Sequence, residues 1–217
     1  PDQSSLYERR AQVYYEQRKY DLADLDYKKM IELKPGDVMG YMGLGRNANE
    51  QKRWQDAIAQ YDYVLKLASD YSSGYAFRAE SYMGLQKWNE ATDDLVSALS
   101  LGWDRKALRL LSEVKEPNTT ILIAKMKVQA AKHPNDMKWP YLTGLVYEYG
   151  DDYAKAIKAY SEANAKDPSS LVYYRLASCH AALGDFTSAM QAIDGALKID
   201  STDVDYMSYK ANIGAAA

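Results

Sequence analysis

The chain has 217 residues, 47% of them hydrophobic and 26% charged, which excludes general disorder. A mixed formal charge of −3 is not that of a surface built to coat nucleic acid or an anionic membrane, and no stretch approaches the roughly 20 apolar residues that cross a bilayer. Cys179 is the single cysteine, so no intramolecular disulfide framework exists and the compartment stays open.

From the start of the chain the sequence repeats itself at a period of 34 residues, in windows opening at Ser4, Val38 and Ser72. Tyr7, Tyr41 and Tyr75 share one slot, Tyr20, Trp54 and Trp88 a second, and Ala23, Ala57 and Ala91 a third. Self-similarity of this length marks stacked helical hairpins. In the first window Leu6, Tyr7, Arg10, Ala11 and Tyr14 recur at three- and four-residue spacing and predict the inner face of a first helix, A. Arg18-Lys19-Tyr20-Asp21 predicts the turn, Ala23, Tyr27, Met30 and Ile31 mark the second helix, B, and Pro35-Gly36-Asp37 stops it. Small residues recur where the two helices must cross closely: Ala11, Gly45, Ala79, Gly144 and Ala177 on A, and Ala23, Ala57, Ala91, Ala156 and Ala189 on B.

These residues closely resemble the tetratricopeptide repeat family. Residues 38–71 carry Tyr41, Leu44-Gly45, Trp54, Ala57 and Tyr61, while 137–169 carry Gly144, Tyr147, Tyr153, Ala156, Tyr160, Ala163 and Pro168. Residues 170–203 add Tyr173, Leu176-Ala177, Gly184-Asp185-Phe186, Ala189 and Ala196. The resemblance runs from about Ser4 to Asp203. It implies an all-α, right-handed superhelical array (a solenoid) of five to six antiparallel helix hairpins. The expected units are 4–37, 38–71 and 72–105, a degenerate helical unit at 106–136, then 137–169 and 170–203, with 204–217 a capping or truncated helix.

The degenerate unit lacks the turn aromatic and its following alanine. Two amphipathic stretches remain, Asp104–Val114 and Asn118–Lys132, with Asn118 as the expected N-cap and His133-Pro134 as the stop. A non-repeat helical linker between two domains is the alternative. Lys106, Arg109, Lys115, Lys125, Lys127 and Lys132 make this stretch locally basic. In the last helix Tyr206, Met207, Tyr209 and Ile213 fall on or near one face, and the opening Pro1 suggests a processed form or an excised fragment.

Catalytic chemistry finds no footing. Cys179 and His180 are neighbours that point about 100° apart on a helix, and His180 holds the interior slot of Tyr14, Tyr82 and Tyr147. Two separated histidines and one cysteine do not make a zinc site, so no metal and no cofactor is expected. The acidic runs Asp93-Asp94 and Asp151-Asp152 read as solvated surface, and the glycines from Gly40 to Gly45 as close helix contacts, not a phosphate loop. Asn118-Thr119-Thr120 matches a glycosylation acceptor, and N-cap duty explains it equally well.

The resemblance implies that the A helices line a concave face on which a protein or peptide partner lies. Carried over by position, the groove candidates are Tyr15, Met39, Met42, Arg46, Asn49, Met83, Tyr141, Tyr149 and Tyr174. Methionine and tyrosine suit adaptable recognition. Family members that clamp the terminal carboxylate of a chaperone tail use Lys and Asn on the first A helix and Lys and Arg on the third. Here those positions read Glu8, Gln12, Ser73 and Phe77, so such a clamp is not expected. Arg46, ringed by Glu8, Glu16, Glu50 and Glu80, points to neutral or basic apolar peptides as the preferred ligands. The function expected is a non-catalytic interaction scaffold; the alternative is a self-association module of a larger multidomain protein.

Overall fold

The computed structural model describes residues 3–216, and among them it holds thirteen α-helices and no strand. The chain divides between Glu113 and Val114 into two compact units. The first contains the hairpins α1/α2 (Gln3–Glu16, Tyr20–Leu33), α3/α4 (Val38–Glu50, Trp54–Leu67) and α5/α6 (Ser72–Gly84, Trp88–Leu101), followed by a short α7 (Arg105–Leu111) that packs on α5 and α6. The second contains α8 (Asn118–Lys132), the hairpins α9/α10 (Lys138–Tyr149, Tyr153–Lys166) and α11/α12 (Ser170–Ala182, Phe186–Ile199), and α13 (Val204–Ala216) on α12. In each hairpin the odd-numbered helix is A and the even-numbered helix is B, and each B helix packs against the A helix that follows it. The fold is an all-α repeat array.

The crossings are as close as the small-residue slots require. Ala11, Ala23, Ala57, Ala79, Ala91, Ala156, Ala177 and Ala189 are all sealed from solvent. A methyl added at Gly45 would sit 2.5 Å from the Tyr61 ring, and one at Gly144 would sit 2.5 Å from the Tyr160 ring. The same slot in two repeats is therefore closed by the same aromatic. Such an overlap cannot be relieved without moving a helix.

Each A helix ends in the same turn. Arg18, Lys52, Gln86, Asp151 and Gly184 have positive φ. The residue after each donates its amide five positions back: Lys19 to Tyr14, Arg53 to Ala48, Lys87 to Tyr82, Asp152 to Tyr147 and Asp185 to His180. These are Schellman caps, which satisfy orphan carbonyls at the helix end. The turn is tighter than Arg18–Asp21, since α2 already begins at Tyr20.

Several side chains depart from the sequence reading. Asn118 does not cap α8: Pro117, with φ −84, holds the capping position and no side chain bonds there. Asp104 caps α7, accepting from the Ala107 amide at 2.9 Å. Leu6 lies exposed instead of on the inner face of α1, and Met207 is exposed while Ile213 is the buried residue of α13.

Asp94 is not solvated. It is buried, and Arg78 grips it in a fork, Nε to Oδ2 and Nη2 to Oδ1, both at 2.8 Å. Burial raises the Asp94 pKa against the opposing pull of Arg78. Arg10 grips Asp26 in the same way at 2.8 and 2.7 Å. Both arginines lie between two tyrosine rings of their own helix, Tyr7 and Tyr14 or Tyr75 and Tyr82.

Candidate functional site

In the first unit α1, α3, α5 and α7 present a continuous row of side chains, because a residue on each A helix reaches its neighbour on the next. The Tyr15 hydroxyl donates to Glu50 Oε1 at 3.0 Å, and its ring lies 4.8 Å from the Arg46 guanidinium. Arg46 in turn lies 5.8 Å from the Phe77 ring, whose other neighbour is the Lys106 ammonium at 4.9 Å. Aromatic and cation thus alternate across four helices, each contact an attraction of a positive charge for a ring face.

Two acidic residues of this face, Glu50 and Glu80, are already engaged. Glu80 takes Lys106, Arg109 Nη2 at 3.3 Å and Asn49 Nδ2 at 3.1 Å. Asn49 also accepts from Ser81 Oγ at 2.6 Å. The sequence reading of an acid-ringed Arg46 needs correcting at Glu80, to which α7 brings two cations. Their 34-residue register was hidden by the loss of the repeat signature after residue 105. Desolvation raises the Tyr15 pKa, with Arg46 opposing, so the hydroxyl stays protonated and able to donate to Glu50.

The groove candidates separate by burial. Met39 is 42% exposed, and Tyr15, Arg46 and Met83 are half-buried. Met42 is only 5% exposed, packed with Ala48, Ala57, Tyr61 and Val64. Asn49, at 7%, is committed to Ser81, Phe77 and Glu80. Met42 and Asn49 therefore form the floor beneath the row and offer no surface.

In the second unit Tyr141 is buried and its ring packs 5.7 Å from that of Tyr160. Tyr160 donates to Glu148 Oε2, and Arg175 Nη1 donates to Glu148 Oε1 at 3.0 Å. Burial, then Glu148, drives the Tyr160 pKa far up. Tyr149 is 37% exposed, and half-buried Tyr174 packs against Tyr206 and Tyr209 at 5.5 and 5.1 Å. The nine candidates thus divide between the two units, Tyr15 to Met83 in the first and Tyr141, Tyr149 and Tyr174 in the second. Glu148 and Arg175 were missed as a pair; an arginine on α11 where α5 has Phe77 was the available signal.

Other chemistry is structural. Burial pushes the Cys179 thiol up to about 12, which leaves it protonated and unreactive at neutral pH. His180 is half-buried, and its Nδ1 lies 3.2 Å from Asp185 Oδ2 across the α11–α12 turn, away from any nucleophile role with Cys179. Among the described residues no group of His, Cys, Asp and Glu is arranged to hold a metal, and no helix is long and apolar enough to cross a membrane.

The tetratricopeptide repeat family matches residues 8–72 and 141–204. With paired helices in register, small-residue crossings and a recurring turn, the chain belongs to that family. It is similar to stress-induced-phosphoprotein 1 of Caenorhabditis elegans, 23% identical over 86% of this chain, and to Hsc70-interacting protein 1 of Drosophila melanogaster, 33% identical over 52%. It spans 59% of the length of the first and 30% of the second. Among solved structures, one chain of the APC/C hetero-tetramer Cut9–Hcn1 shares the fold, with a TM-score of 0.51 and 16% identity over 97% of this chain and 42% of that one.

Proposed function

We propose that this chain is a protein–protein interaction scaffold that holds a peptide or protein segment on the A-helix face of its first unit. The observation that carries this reading is the row Tyr15–Arg46–Phe77–Lys106, which crosses four helices beside the exposed thioether of Met39. Family membership supports it, as does similarity to a relative whose name describes it as Hsc70-interacting. Tyr149 and Tyr174 offer a smaller second surface on the other unit.

The test is affinity capture with wild type beside Met39→Glu/Tyr15→Ala. Met39 is exposed and Tyr15 only half-buried, so the variant is expected to keep its helical circular dichroism and lose its captured partner. Unchanged capture by a folded variant would remove the groove from consideration. Met42→Glu is the wrong probe, because a carboxylate forced among Ala57, Tyr61 and Val64 unfolds the hairpin before it tests any partner.

A second reading, self-association, has its own observation. Leu6 and Val13 are exposed, yet they hold slots that are buried as Gly40, Gly74, Trp139 and Val172, and as Asn47, Ser81, Val146 and Cys179, in the later repeats. A sedimentation mass that rises with concentration, and stops rising in Leu6→Lys/Val13→Lys, would favour it over the groove.

A further inference from the structure

Arg46 differs from Arg10 and Arg78, the two other ring-flanked arginines on the first unit's A helices. Arg10 and Arg78 each lie between two rings and each hold a buried aspartate in plane. Arg46 also lies between two rings, Tyr15 and Phe77, but no carboxylate of the chain forms an ion pair with it among the described residues. Two of the nearby acids are otherwise engaged, Glu50 by the Tyr15 hydroxyl and Glu80 by Lys106, Arg109 and Asn49.

Geometry decides what this arginine has left to offer. A guanidinium attracts rings with its faces and donates hydrogen bonds only in its plane, in a fork that matches a carboxylate. With ring contacts on two sides and one hydrogen bond to the Tyr15 hydroxyl, the stem is held and the other in-plane donors remain. Rotamer freedom has already been lost to the stacking, so a ligand that takes the fork has less to order. Of the cations along this row Lys106 pairs with Glu80 and Arg109 with Glu80 and Glu113, so Arg46 is the one whose ion-pair position is open to a carboxylate from outside.

Resting on the groove reading above, we infer that Arg46 is the specificity-determining residue of that groove, and that it recognises an acidic side chain within the partner segment, between the Tyr15 and Phe77 rings. This reverses the preference for neutral or basic peptides expected from sequence. It also differs from capture of a chain terminus, because one stacked arginine reads a side-chain carboxylate wherever it falls in an extended segment. Tyr61, fully buried beneath the row with an unpaired hydroxyl, is part of the floor and is not needed for this contact.

The test is selection from a phage-displayed library of random short peptides joined at their C-termini to the coat protein, so that no peptide carboxylate is free. Wild type, Arg46→Met, Arg46→Lys and the groove variant Met39→Glu/Tyr15→Ala are selected in parallel. Arg46→Met keeps an unbranched apolar stem between the two rings. The expected result is enrichment of Asp and Glu at one position with wild type, lost with Arg46→Met. Synthetic copies of a selected peptide with both ends blocked should bind Arg46→Met about tenfold more weakly, and Arg46→Lys in between. Selected peptides that need the groove but lack acidic enrichment, or keep it with Arg46→Met, would overturn this inference alone. Selection indifferent to the groove variant, or no selection at all, would overturn the groove reading and the inference with it.

Discussion

Tyr61 of α4 and Tyr160 of α10 occupy one slot in two repeats, and the difference between them separates what a repeat determines from what it leaves free. Both rings are sealed from solvent, and both close on a glycine that tolerates no methyl, at the same 2.5 Å. Their hydroxyls have opposite fates. Tyr160 donates to Glu148, which also holds Arg175, whereas the Tyr61 hydroxyl has no partner. The cause is a single slot on the A helix: Glu148 in the second unit is Asn49 in the first, and Asn49 is turned to Ser81, Phe77 and Glu80. Packing repeats because volume and crossing distance are set by the small residues. Polar wiring repeats only where both slots of a pair recur, as in Arg10–Asp26 and Arg78–Asp94, and differs wherever one of the two varies.

The largest effect that probes this contrast lies at Arg78 and Asp94, whose counterparts in the second unit are Leu176 and Ala192. Arg78→Leu leaves a buried carboxylate without its fork and should destabilise the first unit by about 3–5 kcal/mol, measured by urea denaturation. Arg78→Leu/Asp94→Ala, which installs the second unit's apolar pair, should recover most of that loss. The pH dependence follows from the sign of the shift. The Asp94 pKa is raised in the folded state, so its contribution to stability is greatest below the unfolded value near 3.9 and is lost as pH rises through the folded one. Removing Arg78 removes a lowering influence and raises it further. The deficit of Arg78→Leu should therefore be greatest at neutral pH and shrink on acidification. A deficit that stays flat with pH would mean that Asp94 is not the source of the loss.

The hydroxyl contrast itself is next in size. Tyr160→Phe removes a hydrogen bond to a charged, half-buried group and should cost about 1.5–3 kcal/mol. Tyr61→Phe removes a buried hydroxyl with no partner and should be neutral or stabilising by up to about 1 kcal/mol. Equal losses in the two variants would show that the two repeats are wired alike, and would break the comparison.

The legible part of this molecule is the part that repeats. The alanine and glycine slots, the aromatic at the hairpin turn and the stops all sit at fixed spacing, so a single chain displays each of them several times. Arg10–Asp26 and Arg78–Asp94 also share a spacing, and Arg10 and Arg78 stand two periods apart, so this pairing was readable as well. Asp94 was passed over because it lies beside Asp93, which is exposed, and a charge run gives no sign of which member faces inward. The proposed groove was only half legible. Position on the A helix does not give the depth of Met42 and Asn49: 100° of rotation separates a floor residue from a surface one, and periodicity does not resolve it. Lys106 and Arg109 escaped for the opposite reason, lying where the repeat signature fails.

The smallest effect concerns the turns, where the two units differ by one residue. Four of the five Schellman caps place an ordinary side chain at positive φ, namely Arg18, Lys52, Gln86 and Asp151, and only the α11–α12 turn uses glycine, at Gly184 with φ 76. Left-handed backbone strains any residue with a Cβ, though by little enough that a satisfied cap can hold it. Nothing lies within 4 Å of where a Cβ on Gly184 would project, so Gly184→Ala tests backbone strain without a packing clash. It should cost about 1 kcal/mol, against a gain of a few tenths for Gln86→Gly, where relief of strain is offset by the freer unfolded chain. A Gly184→Ala variant as stable as wild type would show that the cap hydrogen bond, Asp185 to His180, alone holds the turn. The glycine would then be a matter of sequence history and not of conformation.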